Sequence, residues 1–266
     1  VTQPLSEFMD EIADASIGAI DALLAAIPGP FFEDVCCAVE YELFRRHSRP
    51  ELPALNRYSN SPFLSRLFTA LDAPGSVWPL SLQPTPADVV AIPATLGADP
   101  AWTAFKKRAE LSARSLGFAE SVAAALAGAI GEMADNIVQH SQAERSGVAG
   151  FRAHNGTFEY VVGDAGVGIL ESLRRSDEFR NLRDDIEALS LAVLPGVSRF
   201  GRESGRGYGF RAVFLPLRGA DGAVRLRSGH AVLNMAGTSV TPDRASCAQR
   251  ANHRGVVVAL RVTTSH

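Results

Sequence analysis

From Ala119 to about Ser141 the chain carries Val122, Leu126, Ile130, Met133 and Ile137 at helical spacing with no proline between them, which predicts one long helix. Its apolar residues form a single stripe, and such a stripe is stable only when another layer covers it. The strand signals nearby supply that layer. Apolar or alternating runs stand at Val89 to Ile92, Val148 to Ala153, Thr157 to Gly163, Ala223 to Arg227, Ala231 to Met235 and Gly255 to Val262. A further helical pattern runs from Trp102 to Leu116. Helices and strands interleaved in this way predict an α/β layered sandwich.

The first third of the chain reads differently. Residues 5–27 place Phe8, Ile12, Ile20, Leu23, Leu24 and Ile27 at helical spacing and end at Pro28-Gly29-Pro30. Two more helices are predicted, Glu33 to Arg46 and Pro62 to Leu71, followed by a stretch punctuated by Pro74, Gly75, Pro79, Pro84 and Pro86. These signals divide the chain into a small helical module, 1–84, and a second domain, 85–266. The module shows no chemistry of its own. His47 is followed by Ser48, Arg49 and Pro50, and the proline disfavours helix at Arg49, so a surface histidine is expected there and not a phosphoacceptor.

Composition excludes several function classes. The formal net charge is −3 with no basic block, so no nucleic-acid partner is expected. Lys106 and Lys107 are the only lysines, which rules out the P-loop string ending Gly-Lys-Ser/Thr. Cys36, Cys37 and Cys247 match neither a disulfide framework nor a zinc knuckle. Asp10, Glu11 and Asp14 stand where a signal peptide needs basic residues, and Asp21 and Glu120 interrupt or flank the most apolar stretches. The expectation is a cytoplasmic protein with no membrane span.

Three short strings carry the chemistry. On the 119–141 helix, Glu132, Asn136 and His140 are each four residues apart and form a polar stripe beside the apolar one. An amide oxygen with phosphates suits Mg²⁺, and a neighbouring carboxylate can orient water or act as general base. The second string is Val161 to Gly168, an apolar strand running into a loop with Asp164, Gly166 and Gly168. Its glycines permit close approach of backbone, and Asp164 could accept a hydrogen bond from an exocyclic amine. The third is Gly205-Arg206-Gly207-Tyr208-Gly209, a glycine-rich nest ahead of a predicted helix from Phe210 to Leu215, suited to phosphate.

In this order and these contexts the strings resemble the N, G1 and G2 boxes of the GHKL superfamily, which includes gyrase B, the heat-shock-90 chaperones, MutL and the sensor histidine kinases. The likeness spans roughly residues 85–264. It implies a two-layer α/β sandwich of the Bergerat type that binds ATP and Mg²⁺. By resemblance Glu132 matches the catalytic acid and Asn136 the magnesium ligand. His140 ends the first box, and Asp164 matches the adenine-recognising aspartate with Gly166 and Gly168 in its loop. Gly205, Gly207 and Gly209, with Arg206 and Tyr208 between them, match the phosphate-contacting segment. Residues 169–204 would be the ATP lid, and their charge-rich composition suits a mobile cover more than core. Two positions depart from the pattern: Gln139 stands where a basic residue is frequent, and Val256 follows Gly255 where many members have threonine.

An ATP pocket does not specify its use. The leading expectation is ATP hydrolysis coupled to lid or dimer rearrangement in signalling or regulation. The alternatives are a protein kinase acting on a partner and a nucleotide-sensing module without turnover. A protein partner or homodimer is expected through the helical module.

Overall fold

The computed structural model of the chain describes residues 9–10, 17–26, 34–76, 78–141, 147–194, 197 and 209–264. Five antiparallel strands form one sheet in the order β1-β2-β3-β5-β4. They are β1 (Ala87–Ala91), β2 (Val148–His154), β3 (Thr157–Gly163), β4 (Arg218–Ser239) and β5 (Ser246–Thr263). The fold is mixed α/β, as the sequence predicts. The two runs expected at 223–227 and 231–235 are parts of a single 22-residue strand, β4. Its ladder with β5 slips between Ser228 and Ala231, where Gly229 has φ 55°. That irregularity mimics a turn in the sequence because it too favours glycine.

One face of the sheet is covered as anticipated. The helix α5 (Glu120–His140) lays Leu126, Ile130, Met133 and Ile137 against Phe158, Tyr160, Val162, Val258 and Leu260. Beside it lies α4 (Pro100–Ser115), started by Asp99, whose carboxylate accepts the Trp102 N–H at 2.8 Å. Among the described residues α5 is the one helix long and apolar enough to cross a membrane by length and composition, at 21 residues, and its apolar stripe is buried on this sheet.

The opposite face is not bare: the helical module expected beside the two-layer domain covers it. Of the helices of the first third, α2 (Val35–His47) and α3 (Pro62–Asp72) pack on it and α1 (Ile17–Ala26) joins the same core through Ile20 and Leu24, giving helices on both sides of the sheet. Every residue of α2 from Val35 to Phe44 is buried, and its core is shared with Val89, Ala91, Val148, Val161, Val257 and Ala259. The physical reason is visible in the strands. β3 and β5 alternate large apolar residues on one face with Val161, Val257 and Ala259 on the other, so both faces need cover.

Ion pairs orient this second layer. Arg225 of β4 binds Glu40 of α2 through two nitrogens, at 2.8 and 2.9 Å, and Asp10 at 2.9 Å. Burial pushes the Glu40 carboxyl up, but its paired Arg225 outweighs this and holds it below the ordinary value. Asp34, which caps α2, meets Arg261 of β5 at 3.0 Å. The proline-rich stretch expected as a linker is also tied down: Arg108 of α4 donates to the Pro79 and Ser81 carbonyls at 2.8 Å each, and Ser112 holds Thr85. Cys36 and Cys37 are buried free thiols whose pKa burial pushes up.

Candidate functional site

Asp164 follows the last residue of β3 and is 1% exposed. Three chain segments converge on it. Its own loop turns back, so that the Gly166 N–H donates to Asp164 Oδ1 at 2.5 Å. The C-terminal end of α5 arrives from one side, where the Ser141 carbonyl accepts the Val167 N–H at 3.0 Å. From the other side β5 contributes Val256, whose carbonyl accepts the Asp164 N–H at 2.9 Å.

Glycines make that convergence possible. A Cβ at Gly166 would stand 2.2 Å from the Ser141 carbonyl oxygen, so the loop and α5 meet backbone to backbone. Gly255 has φ 84°, and a Cβ there would fall 2.1 Å from the Asp164 carbonyl oxygen. Both the left-handed backbone and the contact require glycine. Gly255→Ala is expected to destabilise the fold by more than the 1–2 kcal/mol or so of a left-handed L-residue alone, because a backbone clash is added. Urea denaturation measures it; a midpoint equal to that of the unaltered protein would mean that the Asp164 loop yields freely.

Burial pushes the Asp164 carboxyl up to about 6, against the lowering effect of the amides of its neighbourhood. A carboxylate kept this dry gains from any added hydrogen-bond donor. Behind the loop, Gly168 opens α6 (Gly168–Leu173) with φ 78°, and the next amide, Ile169 N–H, donates to Ser228 Oγ at 2.9 Å. Ser228 is fully buried on β4 and pairs with Val256. A hydroxyl therefore does stand beside this loop, brought by the neighbouring strand and not by the residue after Gly255. Nothing local in the sequence marks it.

On α5, Glu132 is exposed while Asn136 and His140 are half-buried. Asn136 Nδ2 lies 4.0 Å from Met133 Sδ, one turn back. The polar stripe thus runs along the rim of α5 toward Ser141 and the Asp164 loop. The helix α8 (Gly209–Phe214) packs against α5 and buries Val213 in the same core. Gly205, Arg206, Gly207 and Tyr208 lie outside the described residues.

The segment expected as a mobile lid differs from that expectation in its described part. After α6, Phe179 and Leu182 and then α7 (Asp185–Ala192), with Ala188, Leu189 and Ala192, are buried in the α5-side core. Asp185 of α7 accepts the His230 N–H at 2.9 Å, at the irregularity of β4. Its leucines and alanines anchor it; the charges that suggested a cover lie on its outer side, as with exposed Glu178 and Arg180.

The donor set bears on the metal. Among the described residues no group of three or more His, Cys, Asp or Glu side chains could hold an ion. One amide oxygen, from Asn136, fits a magnesium ion that takes its remaining oxygens from phosphates and water.

Comparison with protein-family models and with curated proteins finds no match.

Proposed function

We propose that this protein binds Mg-ATP in the pocket around Asp164 and hydrolyses it, with the turnover serving regulation in the cytoplasm. The observation that carries the reading is the buried Asp164, fixed by the Gly166 amide and pressed between the Ser141 and Gly255 backbones. Such a carboxylate is an acceptor for the adenine amine, and its rigid seat favours one purine over another. Guanine presents a carbonyl oxygen where adenine presents the amine, so it meets repulsion in place of a hydrogen bond.

The remaining roles follow from position. Glu132 reaches solvent from the rim of α5 and can orient a water for attack on the terminal phosphate. Asn136, one turn further, would hold Mg²⁺. The ion supplies charge neutralisation at the phosphates when bound. By the resemblance, the glycine-rich segment ending at Gly209 would offer backbone amides to the phosphates. A protein partner or a second copy would meet the outer side of the second-layer helices, where Ser65, Arg66 and Thr69 of α3 are exposed.

Incubation of the full chain with labelled ATP tests the reading. Released phosphate supports hydrolysis. Label transferred to an added protein supports the kinase alternative, and unchanged bound ATP supports a sensor. GTP binding as tight as ATP overturns the role of Asp164.

Asn136→Ala is expected to weaken nucleotide binding chiefly in the presence of magnesium. Titrations with and without a chelator check it, and an equal loss in both conditions would assign Asn136 a structural role only.

A further inference from the structure

We infer that the C-terminal half of α2 is a wedge behind the nucleotide pocket, with Leu43 and Ser48 as positioning residues that set how firmly Asp164 selects its base; the selectivity part rests on the nucleotide reading above. Two separate contacts carry the inference, one to each strand that builds the pocket.

The first contact is with β3. Leu43 is fully buried, and a Cβ on Gly163 would fall 2.7 Å from Leu43 Cδ1. The residue preceding Asp164 is therefore a glycine whose missing side chain is replaced by Leu43. Removing that side chain opens space directly behind the turn into Asp164.

The second contact is with β5. The β4–β5 ladder jumps from Ser228↔Val256 to Gly229↔His253, which leaves Arg254 and Gly255 as a bulge outside it. A bulge frees backbone groups from the ladder, and the Arg254 N–H donates instead to Ser48 Oγ at 3.0 Å. One residue later Gly255 lies against the Asp164 carbonyl. Ser48 thus holds the bulge that forms the far wall of the Asp164 seat.

The wedge is itself well fixed. Phe44 stacks on His253 with ring centroids 6.0 Å apart, and Glu40 grips Arg225 one turn before. A displacement of α2, by whatever binds the second-layer helices, reaches both walls of the pocket through packed contacts and hydrogen bonds.

Hydrogen exchange and nucleotide titration on the full chain test this together. Leu67→Ala is the control, because Leu67 is as buried as Leu43 and in the same second-layer core, but lies on α3. In nucleotide-free Leu43→Ala, exchange at the Asp164, Gly166, Val167 and Ile169 amides is expected to rise about three- to thirtyfold beyond that in Leu67→Ala. The ratio of ATP to GTP affinity is expected to fall by a similar factor of about three to thirty, whereas Leu67→Ala leaves it unchanged. Ser48→Ala, a surface-side truncation that leaves the core intact, is expected to move both readouts in the same direction and carries the test if Leu43→Ala does not fold. Site exchange no faster than in Leu67→Ala for Leu43→Ala, or unchanged in Ser48→Ala, overturns the wedge. Absence of ATP binding by the unaltered chain overturns the nucleotide reading and the selectivity part with it, while the exchange measurement still decides whether the wedge exists.

Discussion

Glu132→Ala is expected to slow phosphate release by about 10²–10⁴-fold, the usual worth of a positioned general base, while ATP affinity holds or rises. The rise has an electrostatic cause, because a carboxylate near the triphosphate repels it and truncation removes that repulsion. Stability should change by less than about 0.5 kcal/mol, since Glu132 is exposed and its loss leaves the buried Met133 and Ala134 in place. Single-turnover and equilibrium titration measurements separate rate from binding. If both are unchanged, Glu132 is a solvated helix residue. If the unaltered protein transfers phosphate to another protein and the variant does not, the kinase alternative takes precedence over hydrolysis.

Asp164→Asn is expected to weaken ATP binding at least tenfold and at the same time to stabilise the free protein. The first effect is the loss of a charged hydrogen bond, about 1.5–3 kcal/mol. The second follows from proton linkage. Burial raises the folded-state pKa of Asp164 to about 6 from an ordinary 3.8, so the folded protein binds this proton more tightly than the unfolded chain does. This group's effect on stability is therefore most favourable below pH 4, declines as pH rises from about 4 to about 6, and stays unfavourable above. The penalty at neutral pH is about 3 kcal/mol as an order of magnitude. Asparagine keeps the oxygen that accepts the Gly166 N–H but carries no charge to desolvate. Nucleotide titration measures the first effect, and thermal denaturation at pH 5 and pH 8 the second. The variant should gain most over the unaltered protein at pH 8, and a variant less stable at both pH values would make Asp164 a purely structural residue. Stability given up for a charge in a fixed seat is the mark expected of a binding site.

The strings that point to this site are legible because each is a local requirement. Glu132, Asn136 and His140 share a face through helix periodicity alone, and Gly166 and Gly168 are needed where the chain turns sharply against other backbone. The strands β2 and β3 fall where alternation places them. Less visible was β4, whose glycine-centred irregularity at Gly229 resembles a turn between two short strands. The described part of the 169–204 segment misled in another way. Its charges are many, but its apolar residues are spaced to reach the core, and only the opposing β4 surface reveals which of them do.

What the sequence by itself determined is the set of elements and the short motifs, since periodicity, glycine freedom and turn chemistry act over a few residues. What only the tertiary structure decided is which elements face one another. Glu40 and Arg225 stand 185 positions apart, and neither carries a sign that the other will neutralise it in a buried layer. The same holds for Ser228 at the Ile169 amide and for Ser48 at the Arg254 amide. A hydroxyl or a guanidinium looks alike in the sequence whether water or a distant backbone group satisfies it. The second layer of helices was likewise invisible, because Val161, Val257 and Ala259 suit a sheet face turned to either neighbour. Burial on both sides is a property of the assembled sheet, and it appears only when the whole chain has packed.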